Sequence, residues 1–333
     1  MIQVVKLLME WYTQVMANGD PRLADWPLMK GPLPVITICF SYVYFVKYLG
    51  PQLMKDRSPF DIRRLMIAYN FFMVIISALL VYVFAVKAWF NGYSLTCQPV
   101  DYSPTGDAYV IAVASYSYFI VKFLEFFDTI FFVLRKKFSH VSTLHVIHHG
   151  IMPFSVWWGL KFVPGGHATF FGFINSFVHV IMYTYYGLAA VGPQMNKYLW
   201  WKRYLTVLQM VQFILIFIHS FQLLFRDCSF PRAFGLWISA HGVLFWFLFS
   251  HFYRHTYLRA KSAAAVNGVS NARQRPRRGF FETVCSPNAT LIQHLNHSES
   301  KKQNGTSNNK YSENNNLFGK QTNGCIDRSK KAN

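Results

Sequence analysis

The sequence carries little charge for its length, and little of that charge is negative. Only 14% of its 333 residues are charged, whereas 53% are hydrophobic and 18% are aromatic. Soluble globular domains carry about 25% charged residues, so this composition argues against a protein surrounded by water on all sides. Several apolar stretches are long enough to cross about 30 Å of hydrocarbon as helices.

Acidic residues are scarce, and the excess of basic residues is unevenly placed. The chain has 33 Lys and Arg against 14 Asp and Glu, a net charge of +19. From Arg254 onward there are fourteen Lys and Arg but four Asp and Glu, a net charge of +10. No folded basic domain accompanies this tail, which argues against nucleic-acid binding and favours contact with anionic lipid.

A signal peptide is not recognisable at the start of the chain. Residues 1–30 lack an uninterrupted apolar core, because Glu10, Asp20 and Asp25 divide them. Residues 2–16 are weakly amphipathic instead, a pattern typical of a helix at a membrane interface.

The apolar pattern predicts an all-α membrane protein with seven spans. We expect them at 33–49, 65–86, 110–134, 142–160, 168–189, 204–225 and 233–253. This divides the chain into an amino-terminal segment at 1–32, a seven-helix domain at 33–253 and a tail at 254–333. The tail is rich in Asn, Ser and Lys, a composition that predicts disorder.

The predicted loops differ in positive charge, which sets the expected orientation. The loops after the first, third and fifth spans contain the larger number of basic residues: Lys55, Arg57, Arg63, Arg64, Arg135, Lys136, Lys137, Lys197, Lys202 and Arg203. These loops and the basic tail are therefore expected in the cytosol, and the amino terminus in the lumen. Lys6, Arg22 and Lys30 in the amino-terminal segment run against this rule.

Three histidines interrupt the fourth predicted span. His145, His148 and His149 occupy helix positions 0, 3 and 4, which fall on one face. Ionisable side chains inside a membrane are costly and usually functional. The alternative is that these imidazoles only hydrogen-bond neighbouring helices, an interpretation that suits one histidine better than three on one face.

The third span contributes the charged partners. Lys122 precedes Glu125 by one helical turn, and Asp128 lies at the flank of the same face. Glu125 and Asp128 are the only carboxylates in the seven predicted spans. Two interpretations stay open and are compatible: an internal ion pair that neutralises its own charges, and a carboxylate pair that orients the histidines.

The fifth and sixth spans add polar side chains at helical spacing. They are Asn175, His179, Met182, Tyr183 and Tyr186 in the fifth, and Thr206, Gln209 and Gln212 in the sixth. Glutamines often only join membrane helices, and tyrosines near a helix end are typical of an aromatic belt. For His179, a helix-joining role and a role in a functional site are equally compatible with the sequence. A site is favoured because four helices bring polar groups to the same, cytosolic half.

These boxes resemble the fatty acid elongase family in content and order. They read Lys122-Phe-Leu-Glu125-Phe-Phe-Asp128-Thr129, Leu144-His145-Val-Ile-His148-His149, Asn175-Ser-Phe-Val-His179-Val-Ile-Met182-Tyr183-Thr-Tyr185-Tyr186 and Thr206-Val-Leu-Gln209-Met-Val-Gln212-Phe213. The resemblance spans roughly residues 25–260 and is closest to the animal very-long-chain elongases of the endoplasmic reticulum. Desaturases share His-x-x-His-His, so the ordered set is what makes the resemblance specific.

The resemblance implies the condensing step of fatty acid elongation, in which acyl-CoA and malonyl-CoA give 3-oxoacyl-CoA, CoA and carbon dioxide. It implies a seven-helix bundle around a closed-ended acyl tunnel open to the cytosol, and an acyl-imidazole intermediate on His148. The substrates are expected to be the only cofactor-like molecules, with no metal. Membrane lipid, other enzymes of the elongation cycle and a second copy of the chain are expected partners.

Neighbouring residues are expected to assist this chemistry. His145, His149, His179 and Asn175 can stabilise the enolate oxygen as donors, while Lys122, Glu125 and Asp128 neutralise charge and fix a tautomer. Tyr183, Tyr186, Gln209 and Gln212 are candidate substrate-binding residues. Lys136, Lys137, Lys202 and Arg203 at the mouth can hold CoA phosphates, although ordinary positive-inside charge explains them equally well.

Two other functional classes stay open. A membrane di-iron desaturase or hydroxylase needs about eight histidine ligands in several boxes, and His251 and His255 supply only a second box. A receptor or transporter is compatible with seven spans alone. Against a receptor stands the cytosolic placement of the polar groups, and against a transporter the absence of paired broken helices.

The ends of the chain and its cysteines give two further predictions. Lys330 and Lys331 resemble a dilysine retrieval signal for the endoplasmic reticulum on a cytosolic carboxy terminus. Cys97 and Cys228 are the only cysteines in predicted lumenal loops, the oxidising side, so we expect one disulfide between them. Two free thiols on separate loops are the alternative, because the bond requires Cα atoms within about 7 Å.

Overall fold

A computed structural model describes residues 2–258, which belong to one compact unit. Within these residues the secondary structure is entirely helical, with no strand. Lys330, Lys331 and the predicted tail beyond Leu258 lie outside the described residues. The all-α prediction is therefore confirmed for the part of the chain that the structure describes.

Eight long helices make up the described chain, and seven of them match the predicted spans. They are α1 Ile2–Ala17, α2 Leu33–Leu53, α3 Arg63–Trp89, α4 Gly106–Leu134, α5 Thr143–Phe162, α6 Thr169–Val191, α7 Lys202–Phe225 and α8 Arg232–Leu258. Their bounds differ from the predicted ones by a few residues. The last helix, for example, continues to Leu258 rather than ending at 253.

Five of the helices, α2, α3, α4, α7 and α8, are long and apolar enough to cross a membrane. The other two predicted spans form α5 and α6 at the expected places, with 20 and 23 residues. They are less apolar because they carry the histidines, Asn175 and several tyrosines. Large apolar side chains such as Phe40, Phe71 and Phe247 are exposed on the outside, as a surface in contact with lipid requires.

The helices pack in pairs around a buried centre. Helix α3 runs along α6, α7 along α8, and α2 against α5, while α4 contacts both α3 and α5. In the most apolar 18-residue stretch of α4, half is buried. The corresponding stretches of the other four candidate spans are only 22–33% buried. Helix α4, which carries the charged residues, is therefore the most buried of the five candidate spans.

One end of the bundle is tied by a covalent bond. Cys97, after α3, and Cys228, after α7, form a disulfide with Cα atoms 5.6 Å apart, as predicted from the loop charges. The same end receives the amino-terminal segment, where Asp20 and Arg22 form a buried ion pair of 2.7 Å. Arg22 also donates to the carbonyl oxygen of Ser103 at 3.0 Å. We call this the disulfide end.

Helix α1 contacts this unit mainly through its last turn. Its apolar residues Val4, Leu7, Leu8 and Trp11 are 59–61% exposed, whereas Met16 packs against the core. This arrangement fits the amphipathic pattern expected for residues 2–16.

Candidate functional site

The histidine box opens α5 at the end of the bundle opposite the disulfide. Ser142 caps the helix, its Oγ accepting a hydrogen bond from the backbone N–H of His145 at 3.3 Å, which fixes the helical register from the first turn. The rings of His145 and His149 lie 4.3 Å apart, and those of His148 and His149 5.3 Å apart. The predicted convergence of the three imidazoles is therefore present in the structure.

A proline follows the box inside the same helix. Pro153 has no N–H, so it cannot donate to the carbonyl oxygen of His149 four residues earlier. Gly150, in between, lies close to α2, since an added Cβ would meet Val43 Cγ2 at 3.1 Å. The box therefore packs against α2. The helix that carries it lacks one backbone hydrogen bond at this point.

A charged pair on α4 faces the box. Lys122 Nζ donates to Glu125 Oε1 at 2.6 Å, and both side chains are buried, with 1% and 0% exposure. Burying two charges is tolerable only when each has a partner and further hydrogen bonds. The ring of Tyr118, one turn earlier, adds a contact of 4.4 Å to Lys122 Nζ.

Helix α6 completes the network with an amide and a fourth imidazole. Asn175 Oδ1 accepts from Lys122 Nζ at 2.9 Å and from Tyr118 OH at 2.7 Å. Because Oδ1 is the acceptor, the amide nitrogen of Asn175 is the atom that faces His179 Nε2, at 3.3 Å. His179 Nδ1 in turn lies 3.2 Å from Glu125 Oε1.

These contacts assign a tautomer to His179. Its Nε2 accepts from the Asn175 amide, so the ring proton is on Nδ1 and points at Glu125. Both ring nitrogens are then occupied within the protein. Of the roles expected for His179, this geometry favours orientation of the network over direct donation to a substrate.

Glu125 joins the network to the histidine box. Its second oxygen, Oε2, lies 3.8 Å from His149 Nδ1, just beyond hydrogen-bond distance. One carboxylate therefore stands between His179 on α6 and His149 on α5. Glu125 therefore lies where a carboxylate can orient both histidines, as expected from the sequence. It also pairs with Lys122.

Asp128 and Thr129 connect α4 to its other neighbours. Tyr183 OH donates to Asp128 Oδ2 at 2.8 Å, and Tyr42 OH lies 2.7 Å from Thr129 Oγ1. Tyr183 is fully buried, so its assignment to an aromatic belt is wrong. Its hydroxyl donates a hydrogen bond to a buried carboxyl group inside the bundle.

Several buried polar atoms around the box have no hydrogen-bond partner within the described residues. They are Glu125 Oε2, His145 Nε2, His148 Nδ1, His149 Nδ1 and, on α7, Gln212 Oε1. Unpaired buried polar groups are costly and rare in folded proteins. Such atoms are not confined to the box, since His167 Nδ1 and His219 Nε2 are also buried without a partner among the described residues.

The other predicted substrate-binding residues are less closely joined to the box. Gln209 Nε2 donates to Met182 Sδ at 3.5 Å, and the ring of Tyr186 lies 6.0 Å from that of Tyr183. The Gln209 contact joins α7 to α6, as the helix-joining role requires, whereas Tyr183 and Tyr186 lie one turn apart on α6. The structure records no contact of either residue with the three histidines.

Two of the predicted CoA-binding lysines, Lys137 and Lys202, lie near His140, which is between α4 and α5. Partial removal of its ring from water, and then the positive charges of Lys202, Lys137 and Arg135, lower the pKa of His140. Phe132 contacts both His140 and His145, with ring centroids 5.2 and 6.2 Å away. A basic cluster is therefore one aromatic ring away from the box.

The remaining members of the basic set are engaged elsewhere. Lys136 Nζ donates to the carbonyl oxygen of Lys55 at 2.9 Å. Arg203 donates to Tyr204 OH at 2.8 Å and stacks on its ring. These two side chains fit ordinary surface roles better than Lys137 and Lys202 do.

An apolar cavity begins beside the network, at Tyr118. Tyr118 and, on α8, His241 line this cavity. The ring of Phe245 contacts both His241 and His148. From there the cavity runs along α5 toward the disulfide end and reaches Val163, Gly165 and others: Ser155, Val156, Gly159, Leu160, Ala168, Phe171, Gly172, Phe234, Trp237 and Ile238.

The structure adds residues that the sequence analysis missed. Tyr118, Tyr42 and Phe245 all touch members of the predicted boxes. Only Tyr118 has a usable signal in the sequence, because it precedes Lys122 by one turn and so shares its helix face. Tyr42 and Phe245 come from other helices, and no spacing rule connects them to the box.

The ligand sets that a di-iron enzyme needs are not assembled in residues 2–258. No group of three His, Cys, Asp or Glu side chains there is arranged to hold a metal ion. His251 and His255 are exposed at the end of α8, with ring centroids 6.0 Å apart.

Comparison with known proteins identifies the family of the chain. The sequence model of ELO, the GNS1/SUR4 family, matches residues 27–265. The chain is 53% identical over 266 residues to "Very long chain fatty acid elongase 7" of Drosophila melanogaster, which covers 78% of this chain and 81% of that protein. It is 47% identical to the Rattus norvegicus protein of the same name and 44% identical to "Very long chain fatty acid elongase 1" of Homo sapiens. Each of these matches covers 253 residues, 75% of this chain and 90% of the relative.

Proposed function

Because the chain belongs to the ELO family, we propose that it is a fatty acid elongation enzyme that joins a long-chain acyl-CoA to malonyl-CoA. The products are 3-oxoacyl-CoA, CoA and carbon dioxide. One observation carries the proposal: three imidazoles face a neutralised carboxylate network, and Tyr118 of that network also lines an apolar cavity.

In this proposal the acyl tail lies in the cavity along α5, and the thioester lies at the histidine box. His148 fits the role of acyl acceptor because it is only partly buried, whereas His149 behind it is buried. Its ring also contacts Phe245, which borders the route from the box to the cavity, with centroids 4.6 Å apart. A neutral imidazole is a competent nucleophile, and apolar surroundings favour the neutral form.

The first half-reaction transfers the acyl group to the protein. The lone pair of one His148 ring nitrogen attacks the thioester carbon, and the carbon–sulfur bond breaks. The ring gives up its N–H proton, which leaves with sulfur as the CoA thiol. A neutral acyl-imidazole remains, with the tail held in the cavity.

The second half-reaction forms the carbon–carbon bond. Malonyl-CoA loses carbon dioxide to give an enolate, whose carbon attacks the acyl carbon while the bond to His148 breaks. The imidazole then takes up one proton from solvent. His145 Nε2, which is buried and unpaired, is the donor best placed for the enolate oxygen.

The Lys122 network supports the box without reacting. Lys122 keeps Glu125 ionised, so that Glu125 can accept from His179 and, after a small shift, from His149. Asn175 and Tyr118 hold His179 in place. This division of roles assigns chemistry to α5 and orientation to α4 and α6.

The membrane arrangement is part of the same proposal. All seven helices α2 to α8 cross the membrane of the endoplasmic reticulum, with the amino terminus lumenal, the carboxy terminus cytosolic and the cavity opening to the cytosol. Lys137 and Lys202 then hold CoA phosphates near the box. Lipid, the other enzymes of the elongation cycle and a second copy of the chain are the expected partners.

Purified protein with radiolabelled malonyl-CoA tests the proposal. Carbon dioxide should be released only when acyl-CoA is also present. Incubation with acyl-CoA alone should release CoA and leave an acyl mass on the peptide that contains His148. Acyl-CoA-independent release, or no release at all, would contradict the reaction, and an adduct on another residue would contradict the role of His148.

A further inference from the structure

The wall of the cavity has one position without a side chain on α5. The helix lines the cavity with Ser155, Val156, Gly159, Leu160 and Val163, the spacing of one helix face. Four of these residues project side chains. At Gly159 the wall is bare, roughly 16 Å along the helix axis from His148 at 1.5 Å per residue.

A glycine inside a helix needs a reason, because it destabilises a helix relative to alanine. In membrane helices the usual reason is close packing against a neighbouring helix. That reason does not apply here, since a Cβ added at Gly159 meets no heavy atom within 4 Å. The space beside it belongs to the cavity.

Other glycines in the structure show the contrast. Gly172 also borders the cavity, but an added Cβ would meet Phe84 Cε2 at 3.2 Å. Gly235, on α8, would meet Leu223 Cδ1 at 3.0 Å. Both are explained by packing. Gly159 is the helical cavity glycine for which the described residues offer no packing explanation.

We propose that Gly159 determines how long an acyl chain the site accepts, by leaving open the part of the cavity beyond it. This rests on the proposed function, in which the acyl tail extends from His148 along α5. A tail that ends before Gly159 does not meet this position. A longer tail passes it and needs the free space toward Val163 and Gly165.

The test is a graded series, Gly159→Ala, Gly159→Val and Gly159→Leu, assayed with acyl-CoA substrates of increasing length. The longest chains that the parent elongates should lose rate by about tenfold or more in Gly159→Leu, because one unaccommodated methylene in an apolar pocket already has an effect of that size. The shortest substrates should keep their rate within about twofold. Products should shift to shorter lengths in the order Ala, Val, Leu.

Gly187→Ala is the matched control. Gly187 is also a glycine within a helix, α6, where an added Cβ makes only an ordinary contact of 3.6 Å with Asn70 Cβ, and it does not line the cavity. It should leave the length profile unchanged. The same shift in Gly187→Ala would overturn the assignment.

Three outcomes separate this inference from the reaction itself. An unchanged length profile in an active Gly159→Leu protein overturns the inference and leaves the reaction standing. A uniform loss at all lengths, in Gly159→Ala as well as Gly159→Leu, also overturns it, because the position then affects stability rather than selection. A parent protein without malonyl-CoA-dependent product overturns both.

Discussion

Two groups of buried histidines lie at opposite ends of the bundle, in different surroundings. At the disulfide end, His167 and His219 stack with ring centroids 3.8 Å apart and planes 11° apart, and Phe170 stacks on the far side of His219. At the other end, the rings of His145, His148 and His149 are tilted or perpendicular to one another.

The neighbours of the two groups differ more than the histidines do. His167 Nε2 donates to the carbonyl oxygen of His219 at 2.7 Å, and that oxygen also accepts from Gln222 Nε2 at 2.9 Å. The rings of Trp89 and Phe230 contact the pair as well. The histidine box instead faces Glu125, which is neutralised by Lys122. A cluster of imidazoles thus indicates chemistry only when charge and an apolar cavity accompany it.

The largest effect should separate the two groups directly. His148→Ala should lower condensation by about a thousandfold or more, as expected for loss of a nucleophile, while the protein stays folded. His219→Ala, from the disulfide end, should retain most of the activity per folded molecule. Rates of carbon dioxide release and size-exclusion profiles of both proteins check this. Near-parental activity of His148→Ala, or equal losses in both variants, would remove the distinction.

The Lys122–Glu125 pair near the box is buried, whereas the Lys87–Asp107 pair at the disulfide end is exposed. Glu125→Gln leaves Lys122 buried without its charge partner, which should destabilise the protein by about 3–5 kcal/mol. Replacing both residues, Lys122→Met with Glu125→Gln, should recover much of that stability but not the activity. Thermal unfolding and condensation rates measure the two separately.

The exposed pair at the disulfide end is the control. Lys87 and Asp107 lie 2.8 Å apart but are 42% and 41% exposed. Asp107→Asn should therefore change stability by less than about 1 kcal/mol. A double Lys122 and Glu125 variant with parental activity would show that this network is structural alone.

Loss of the disulfide should affect stability but not chemistry. The bond joins residues 131 apart in the sequence, and closing such a loop stabilises by up to about 5 kcal/mol in the chain-entropy model, less if the membrane already restricts the unfolded chain. Cys97→Ser should lower the unfolding temperature and keep the rate of condensation at moderate temperature. Cys39→Ala, which alters a buried free cysteine, serves as the comparison.

Peptide mapping of unreduced protein tests the pairing itself. Cys97 and Cys228 should appear as one linked peptide. Recovery of the two as separately alkylated peptides would contradict the bond and the orientation on which it was predicted.

The smallest expected effect is a pH dependence at the disulfide end. Burial lowers the pKa of His167, and its hydrogen bond to the His219 carbonyl only partly offsets this. The unfolded chain therefore binds more protons below about pH 6.5, the ordinary histidine value, so stability should fall by about 1 kcal/mol or less as the solution is acidified. His167→Phe should show a smaller fall in unfolding temperature between about pH 7.5 and about pH 5.5. An unchanged slope would contradict the contribution of His167.

The sequence predicts where the helices lie better than it predicts which residues of different helices contact each other. Hydrophobic length placed α2 to α8 to within a few residues, and positions 0, 3 and 4 on a helix brought the box together, because both depend on local geometry. The pairing of Lys122 with Glu125 is local in the same way. The hydrogen bonds of Tyr118 to Asn175 and of Tyr183 to Asp128 are not, since each joins different helices.

Several features therefore depend on the tertiary structure alone. The stacking of His167 on His219 had no signal in the sequence, because the two residues are 52 positions apart and belong to different elements. From its position near a helix end, Tyr183 is expected at the membrane interface. Only the packing of α6 against α4 shows that it is buried. The bare wall at Gly159 is visible only when five helices and a loop enclose the same space.

The sequence by itself determined which segments are helical, which of them are apolar, and which face of α5 carries three imidazoles. Those properties follow from side chains a few positions apart on one helix, whose geometry is the same in any fold. Only the tertiary structure decided which histidines meet a carboxylate, which glycine faces free space and where the cavity ends. These depend on how helices distant in sequence pack against each other, and helix packing is set by the shapes of all the side chains at each contact.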